Sequence, residues 1–421
     1  NEDARRRLRG LADVLLLHDR EIVARADDSV TRPTARARVV LRRSRGLAPE
    51  PFTLGFHGPH VLAVGADLKN APAVARDGRV FVAPHVGDLD NADAQQAWGE
   101  VRARLESLFG VRPVAAAHDL HPGYHGTAIA RGLGLTAVAV QHHHAHVASC
   151  MVENGWRQRV IGVTWDGMGY GADETAWGGE FLVADFEDFT RVGRLRPVPL
   201  PGGDAAREGW RLALVHLREA GVEPPRAWSP SAAGTRKEAL TRMIERGAAT
   251  VPTSSVGRLF DAVASLAGVR HVSAYEGQAA MELEGRASEG AEPYPLPVVD
   301  LPASSPVALE LDPRRLVRAV TEDAARGADA SRIASRFHAA LVSAIAEACA
   351  RIREKTGVET VALTGGCFAN RILLDGATRA LEDERFRVLR HAEVPPGDGG
   401  LAVGQAAVAS WRLKDTAGEP G

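Results

Sequence analysis

Residues 163–181 read VTWDGMGYGADETAWGGEF: an apolar run, a polar stretch dense in glycine, and a second apolar run. Asp166, Gly167, Gly169, Gly171, Gly178 and Gly179 fall within fourteen residues. The pattern predicts a strand, a glycine-rich loop and a return strand. Glycine lets backbone amides approach an anion closely, so such a loop can cradle phosphate. The plainer reading is a β-hairpin whose glycines serve only turn geometry. The stretch matches neither the P-loop nor the dinucleotide fingerprint.

Working outward, short apolar runs alternate with helical periodicity from Pro51 onward, in HVLAVGADL, RVFVAPHVG, TAVAVQHHHAHVASCMVENG and RVIGVTWDGMGYG. This alternation predicts an α/β fold with strands feeding helices. The earlier stretch VLAVGADLKNAPAVARDGRV sets two apolar runs around a polar turn with Asp67, Lys69 and Asn70. With 163–181 it suggests a two-lobed actin-like, hexokinase-like architecture, in which hairpins of both lobes face a nucleotide. SRIASRFHAALVSAIAEACARIREKTG is a predicted helix closing on Gly357, and VETVALTGG a strand entering a glycine turn. CFANRILLDGATRALED is the helix expected after that turn, and residues 286–306 are an expected surface loop. Residues 1–50, with an expected ADVLLL strand, read as the end of a preceding unit, joined through the PEP run near residue 50.

The sharpest chemical signal is VQHHHAHVAS. His142 and His146 stand four apart at a predicted helix start, so their rings share one face and can bind one borderline metal ion. His143 and His144 point elsewhere. The bland alternative is a helix N-terminus with partly solvated rings, but four histidines in five residues favour metal. Without a CxxC pair nearby, an open site is favoured over a closed structural one. In EVPPGDGGLAVGQAAVASWRL, Asp398 precedes a small-residue helix and reads either as a third ligand or as an N-cap. Lys69 could give a compact charge to phosphate. Gly365, Gly366 and Asn370 in LTGGCFANRILL suit a nucleoside or phosphate contact, or tight strand–helix packing. Asp261, on the polar side of SSVGRLFDAVASLAGV, could meet a ribose diol or solvent. Cys367 reads as packing.

Composition limits the alternatives. The 421 residues are 45% hydrophobic and 25% charged, with a net charge of −2. That balance supplies no field for a nucleic-acid backbone or an anionic membrane, which argues against both as partners. Three cysteines, Cys150, Cys349 and Cys367, fit a reducing, cytoplasmic setting. The N-terminal stretch lacks the core of a signal peptide, and no unbroken apolar run of spanning length follows, so a soluble protein is expected. Lysine occurs only at 69, 237, 355 and 414 among 51 basic residues, so a lysine is the exception here.

In this order, GADLKN, HVGDLDN, HDLHPGYHGTAIA, QHHHAHVAS, DGMGYGADETAWGGEF, LPGGDAAREGWRLA, GRLFDAVASLAG, YEGQAAMELE, GGCFANRILL and PPGDGGLAVGQAA resemble the C-terminal part of the hydrogenase-maturation carbamoyltransferases, the HypF family. LLHDREIVARADDSVTR and RRSRGLAPEP extend the resemblance to the N-terminus. It implies a TsaD-like, two-lobed α/β domain preceded by the tail of a YrdC-like domain. Residues 1–50 would be that tail, 51–158 lobe I and 159–421 lobe II, with the final helix, about 398–413, contributing to the metal site. It also implies carbamoyl transfer from carbamoyl adenylate to the C-terminal cysteine of a HypE-like maturation factor, with release of AMP. The adenylate-forming chemistry would lie outside this chain. The metal, iron or zinc, would sit on His142, His146 and Asp398, with Mg2+ accompanying ATP or AMP. Lys69 and Asp166 would act at the reacting phosphate beside Gly167, Gly169 and Gly171, while Asp261, Gly365, Gly366 and Asn370 would hold the nucleoside. Alternatives are O-carbamoylation of a small hydroxylated metabolite and a non-catalytic nucleotide-binding scaffold.

Overall fold

A computed structural model describes residues 1–202, 205–231, 233–234, 236–247 and 250–416. Gly203 and Asp204 of the LPGGDAAREGWRLA motif, and residues 417–421 at the end of the expected second lobe, lie outside the described residues.

Two sheets organise the chain. The first has six strands in the order Pro51–Thr53, Arg79–Val82, Ala73–Arg76, Val61–Ala63, Ala115–Asp119, Thr136–Val140. Its first strands pair antiparallel, including the expected Val61–Ala63/Ala73–Arg76 hairpin, and its last three run parallel. The second sheet has nine strands. Its central path runs Val298–Asp300, Leu309–Leu311, Phe189–Leu195, Ala176–Ala184, Val160–Tyr170, Thr360–Thr364, Arg387–Arg390. One apolar cluster packs on the second sheet, on Val163, Phe181, Phe260, Phe337 and Leu363; another joins the two sheets, on Val61 and Ala117 of the first, Leu182 of the second, and Val147 and Val403 between them. This is the α/β fold expected from the strand–helix alternation, in the two-lobed form expected from the two hairpins.

The joint between the sheets decides where the site lies. Strand Thr136–Val140 ends at Gln141, whose side-chain oxygen caps the His144 amide at 2.9 Å and starts the helix His142–Glu153. That helix belongs to the second cluster, packs on strands Val160–Tyr170 and Thr360–Thr364, and crosses the final helix, Leu401–Arg412. The crossing is close because both partners are small there: a Cβ on Gly404 would overlap the Ala145 carbonyl group, 2.6 Å from its carbon.

The helix Ala330–Thr356 forms as expected and ends at Gly357 in the left-handed region, φ 71°. By length and composition it could cross a membrane, but 61% of its apolar window is buried inside the fold, as befits a core helix. Three expectations are corrected. ADVLLL is not a strand: Leu11, Val14 and Leu16 are 82%, 85% and 99% exposed and no sheet receives them. The glycine run is not a loop: strand Val160–Tyr170 continues through Gly167 and Gly169, Gly169 pairs with Trp177, and the turn narrows to residues 171–175. A short 3-10 turn, Gly366–Ala369, precedes the helix Arg371–Asp383.

Candidate metal centre

Three chain segments deliver four donor residues to one buried point. The helix start gives His142 and His146, strand Val160–Tyr170 gives Asp166, and the 3-10 turn Asp398–Gly400 gives Asp398. One donor atom from each lies within 4.8 Å of all the others. His142 Nε2 is 3.3 Å from Asp166 Oδ2 and 3.5 Å from Asp398 Oδ1, while His146 Nε2 is 3.7 Å from both. The 3-10 turn takes Gly397 as its N-cap and the helix Leu401–Arg412 takes Gly400, so the N-cap alternative does not describe Asp398.

Two of the four donors are held by a further hydrogen bond each, His142 and Asp166. Asp119 ends strand Ala115–Asp119, and its Oδ2 accepts a 2.7 Å hydrogen bond from His142 Nδ1 with both side chains buried. That bond fixes the tautomer and turns the Nε2 lone pair toward the cluster. Asp166 Oδ1 accepts from the Gly366 amide at 2.8 Å, leaving Oδ2 for the cluster. Gly169 lies against the histidines, where a Cβ would come within 2.6 Å of His142 Cδ2 and 2.7 Å of His143 Cε1.

The electrostatics call for positive charge. Burial opposes ionisation of all four groups, yet three carboxylates surround two imidazoles. Asp119, Asp166 and Asp398 outweigh that burial and raise His142 well above its ordinary value; His146 is raised too, with Asp166 and Asp398 offsetting burial. For Asp398, burial is overcome by the two histidines, which bring it down to about 2. His146 Nε2 has no hydrogen-bond partner although it is buried. An orphaned lone pair, a second imidazole and two carboxylates form a donor set of the kind a zinc or ferrous ion takes, so the residues present fit such an ion.

The other expected residues make contacts of their own around this cluster. His143 and His144 are buried rather than solvated: Gln141 Nε2 lies 3.2 Å from His143 Nδ1, and His144 Nε2 lies 2.6 Å from the Asp185 carbonyl oxygen. Of the glycines, Gly167 faces open space, whereas a Cβ on Gly171 would strike Trp177. Gly365 sits at φ 98° against Trp165, and a Cβ on Gly366 would meet Asp166 Oδ1 at 2.7 Å. The Asn370 amide works inside the fold: its oxygen caps Leu373 N–H at 3.0 Å and its nitrogen lies 2.8 Å from His338 Nε2. Asp261 is buried, not on a polar face, and pairs with Arg258 at 2.8 Å. Lys69 is half-exposed, adopts φ 50°, and pairs with Glu276 at 2.6 Å. Burial and the nearby Asp166 push the Cys367 thiol well up, which leaves it a packing residue rather than a nucleophile.

Sequence reasoning missed Asp119 as a partner of His142 and placed Asp166 at phosphate instead of beside the histidines. A signal existed for Asp119: it ends a strand parallel to the one that feeds the HHHAH helix, and Asp119 pairs with Val140, two residues before His142.

Comparison with known proteins places the whole chain in one family. A family model described as a carbamoyltransferase Kae1-like domain, second subdomain, matches residues 162–405, and one described as a HypF Kae1-like domain matches residues 57–153. The chain is 43% identical over 418 residues to carbamoyltransferase HypF of Rhizobium leguminosarum bv. viciae, covering 97% of this chain but 53% of that protein. It thus spans about half the length of that relative. A carbamoyltransferase HypF homolog of Cupriavidus necator is 39% identical over 370 residues, covering 84% of this chain and 92% of the homolog. The crystal structure of full-length HypF in its phosphate- and nucleotide-bound form superposes with a TM-score of 0.93 at 38% identity, over 98% of this chain and 65% of that one.

Proposed function

The chain belongs to the HypF family of carbamoyltransferases, and from that premise we propose that it moves a carbamoyl group from carbamoyl adenylate to the C-terminal cysteine of a HypE-like maturation factor, in the cytoplasm, for cyanide-ligand synthesis in NiFe-hydrogenases. The observation that carries this reading is the meeting of His142, His146, Asp166 and Asp398 at one buried point.

Carbamoyl adenylate is a mixed anhydride and already activated, so its site must chiefly position it and neutralise developing charge. The acceptor cysteine loses its proton to solvent, its thiolate sulfur bonds to the carbamoyl carbon, the carbon–oxygen bond to phosphate breaks, and AMP leaves with the electron pair. His142, His146, Asp398 and Asp166 would hold a divalent iron or zinc ion, which when bound supplies Lewis-acid stabilisation of oxyanion charge. Asp119 keeps His142 in the tautomer that presents Nε2. Lys69 is the cation we assign to the phosphate, with Mg2+ accompanying the nucleotide. Its partner Glu276 is exposed, so the pair can exchange for a ligand at small cost. Gly167, where backbone faces open space beside Asp166, is the glycine best placed for an anion. We assign the nucleoside to the side formed by Asp261, Gly365, Gly366 and Asn370.

On this reading residues 1–50 are the tail of a neighbouring domain, and residues 51–158 and 159–421 are the two lobes. The test supplies carbamoyl adenylate, the chain and a partner ending in cysteine, and follows AMP release with the mass of the partner. A carbamoylated cysteine is expected; AMP released only to water, with no adduct on the partner, would refute the assignment.

A further inference from the structure

His142 and Asp166 are fixed by bonds to their own side chains, whereas His146 and Asp398 are held through the main chain, and one short segment reaches both. At the end of strand Thr360–Thr364, the Thr364 hydroxyl donates to the His146 carbonyl oxygen at 3.1 Å, using one of the two lone pairs a backbone carbonyl carries. The next residue, Gly365, donates its amide to the Pro396 carbonyl at 2.9 Å, two residues before Asp398. Gly366 then donates to Asp166 at 2.8 Å. Consecutive residues thus touch the carriers of His146, Asp398 and Asp166.

Thr364 is itself held. Its Oγ1 lies 2.9 Å from His391 Nε2, and His391 Nδ1 lies 2.8 Å from Glu153 Oε2. Glu153 closes the helix that begins at His142, and its other oxygen accepts the amides of Ala392 and Glu393. Asn154 adds a bond from Nδ2 to the Arg390 carbonyl at 3.1 Å. Residues 390–393 are therefore tied to the far end of the histidine helix, and the same stretch of chain goes on to deliver Asp398. Threonine, histidine and glutamate bonded in this order have the form of a nucleophilic triad, but Thr364 is 0% exposed, so no substrate reaches its hydroxyl. Bonds buried in this way fix geometry, because the interior offers no water to replace a lost partner.

The geometry points to Thr364 and His391 as positioning residues of the metal centre, which set the helix of His146 and the segment of Asp398 in one frame. Donor atoms must stay within about 0.5 Å of their productive places to bind an ion well. Loss of the Thr364 hydroxyl releases the His146 carbonyl and His391 together, and with them the two carriers. The inference rests on the reading that His142, His146, Asp166 and Asp398 hold a metal ion.

The test is competition for zinc between a chelator and the 421-residue chain, read beside the visible spectrum of the cobalt-loaded protein and thermal unfolding of the metal-free protein. The parent is compared with Thr364→Val, Thr364→Ser and His391→Asn. Valine keeps the shape of threonine without the hydroxyl, serine restores the hydroxyl, and asparagine is too short to span Glu153 and Thr364. Thr364→Val and His391→Asn should weaken zinc binding about tenfold or more and alter the cobalt spectrum, while Thr364→Ser keeps parental affinity. His391→Asn carries the test if Thr364→Val does not fold. A folded Thr364→Val with parental zinc affinity and spectrum, whatever its melting temperature, would overturn the inference, as would equal weakening in Thr364→Ser. A parent that binds no zinc would overturn the metal reading itself, and this inference with it.

Discussion

Gly404→Ala tests the helix crossing that brings Asp398 to the histidines. In an ordinary helix interior this substitution stabilises by about 1 kcal/mol, because glycine carries the larger conformational entropy loss. Here the added methyl would lie 2.6 Å from the Ala145 carbonyl carbon and nearer still to its oxygen, inside the 3.0 Å that real Cβ atoms keep. Both neighbours are backbone, so no side chain can swing away. The helices His142–Glu153 and Leu401–Arg412 must part by on the order of 1 Å, and overpacking of this kind costs about 1–3 kcal/mol. Asp398 lies three residues ahead of Leu401, so the same shift moves its carboxylate away from His142 and His146. Disturbing the support of a ligand lowers metal affinity by about 10–100-fold. Thermal unfolding and a chelator competition titration with zinc read the two effects. A variant as stable as the parent, with zinc affinity unchanged, would refute the claim that this crossing sets the geometry of the centre.

Asp119→Asn removes the carboxylate that fixes His142 and should lower zinc affinity about 10–100-fold; an altered visible spectrum of the cobalt-loaded variant would separate this from a folding defect, and an unaltered spectrum and affinity would count against it. Lys69→Arg should impair transfer, because a planar guanidinium does not replace a compact ammonium at phosphate; full activity would return Lys69 to a solvated hairpin residue paired with Glu276. Glu153 is buried, which opposes its charge, but His391 at 2.8 Å and the Ala392 and Glu393 amides hold it below the ordinary carboxylate value. Its contribution is therefore present above that value and lost as pH falls through the depressed one. Glu153→Gln should cost about 1–3 kcal/mol near neutral pH, with the gap to the parent closing in acid; a gap independent of pH in denaturant titrations would contradict this.

What the sequence disclosed follows from the range of the forces involved. The HHHAH pair was readable because four residues of helix put two rings on one face whatever surrounds them. The helix ending at Gly357 was readable for the same local reason. Asp398 was ambiguous because a carboxylate before a helix has a local use, and only packing of the final helix against His142–Glu153 removes it from that use. Asp119 was invisible because it reaches His142 through the pairing of two parallel strands. The place of Asp166 beside the histidines is not legible because glycine density reads as a loop, whereas strand pairing with Ala176–Ala184 carries the strand through Gly169, whose lack of a side chain makes room for the histidines. ADVLLL has strand composition without a neighbouring strand to join, and composition alone forms no sheet.

We propose that the buried cluster of His142, His146, Asp166 and Asp398 supports carbamoyl transfer when it holds a metal ion. Its most direct test is the rate of carbamoyl transfer to a cysteine-terminated partner by the double variant His142→Ala/His146→Ala, shown by elemental analysis to be free of metal. No carbamoylated partner above background is predicted; transfer at the parental rate would contradict the account.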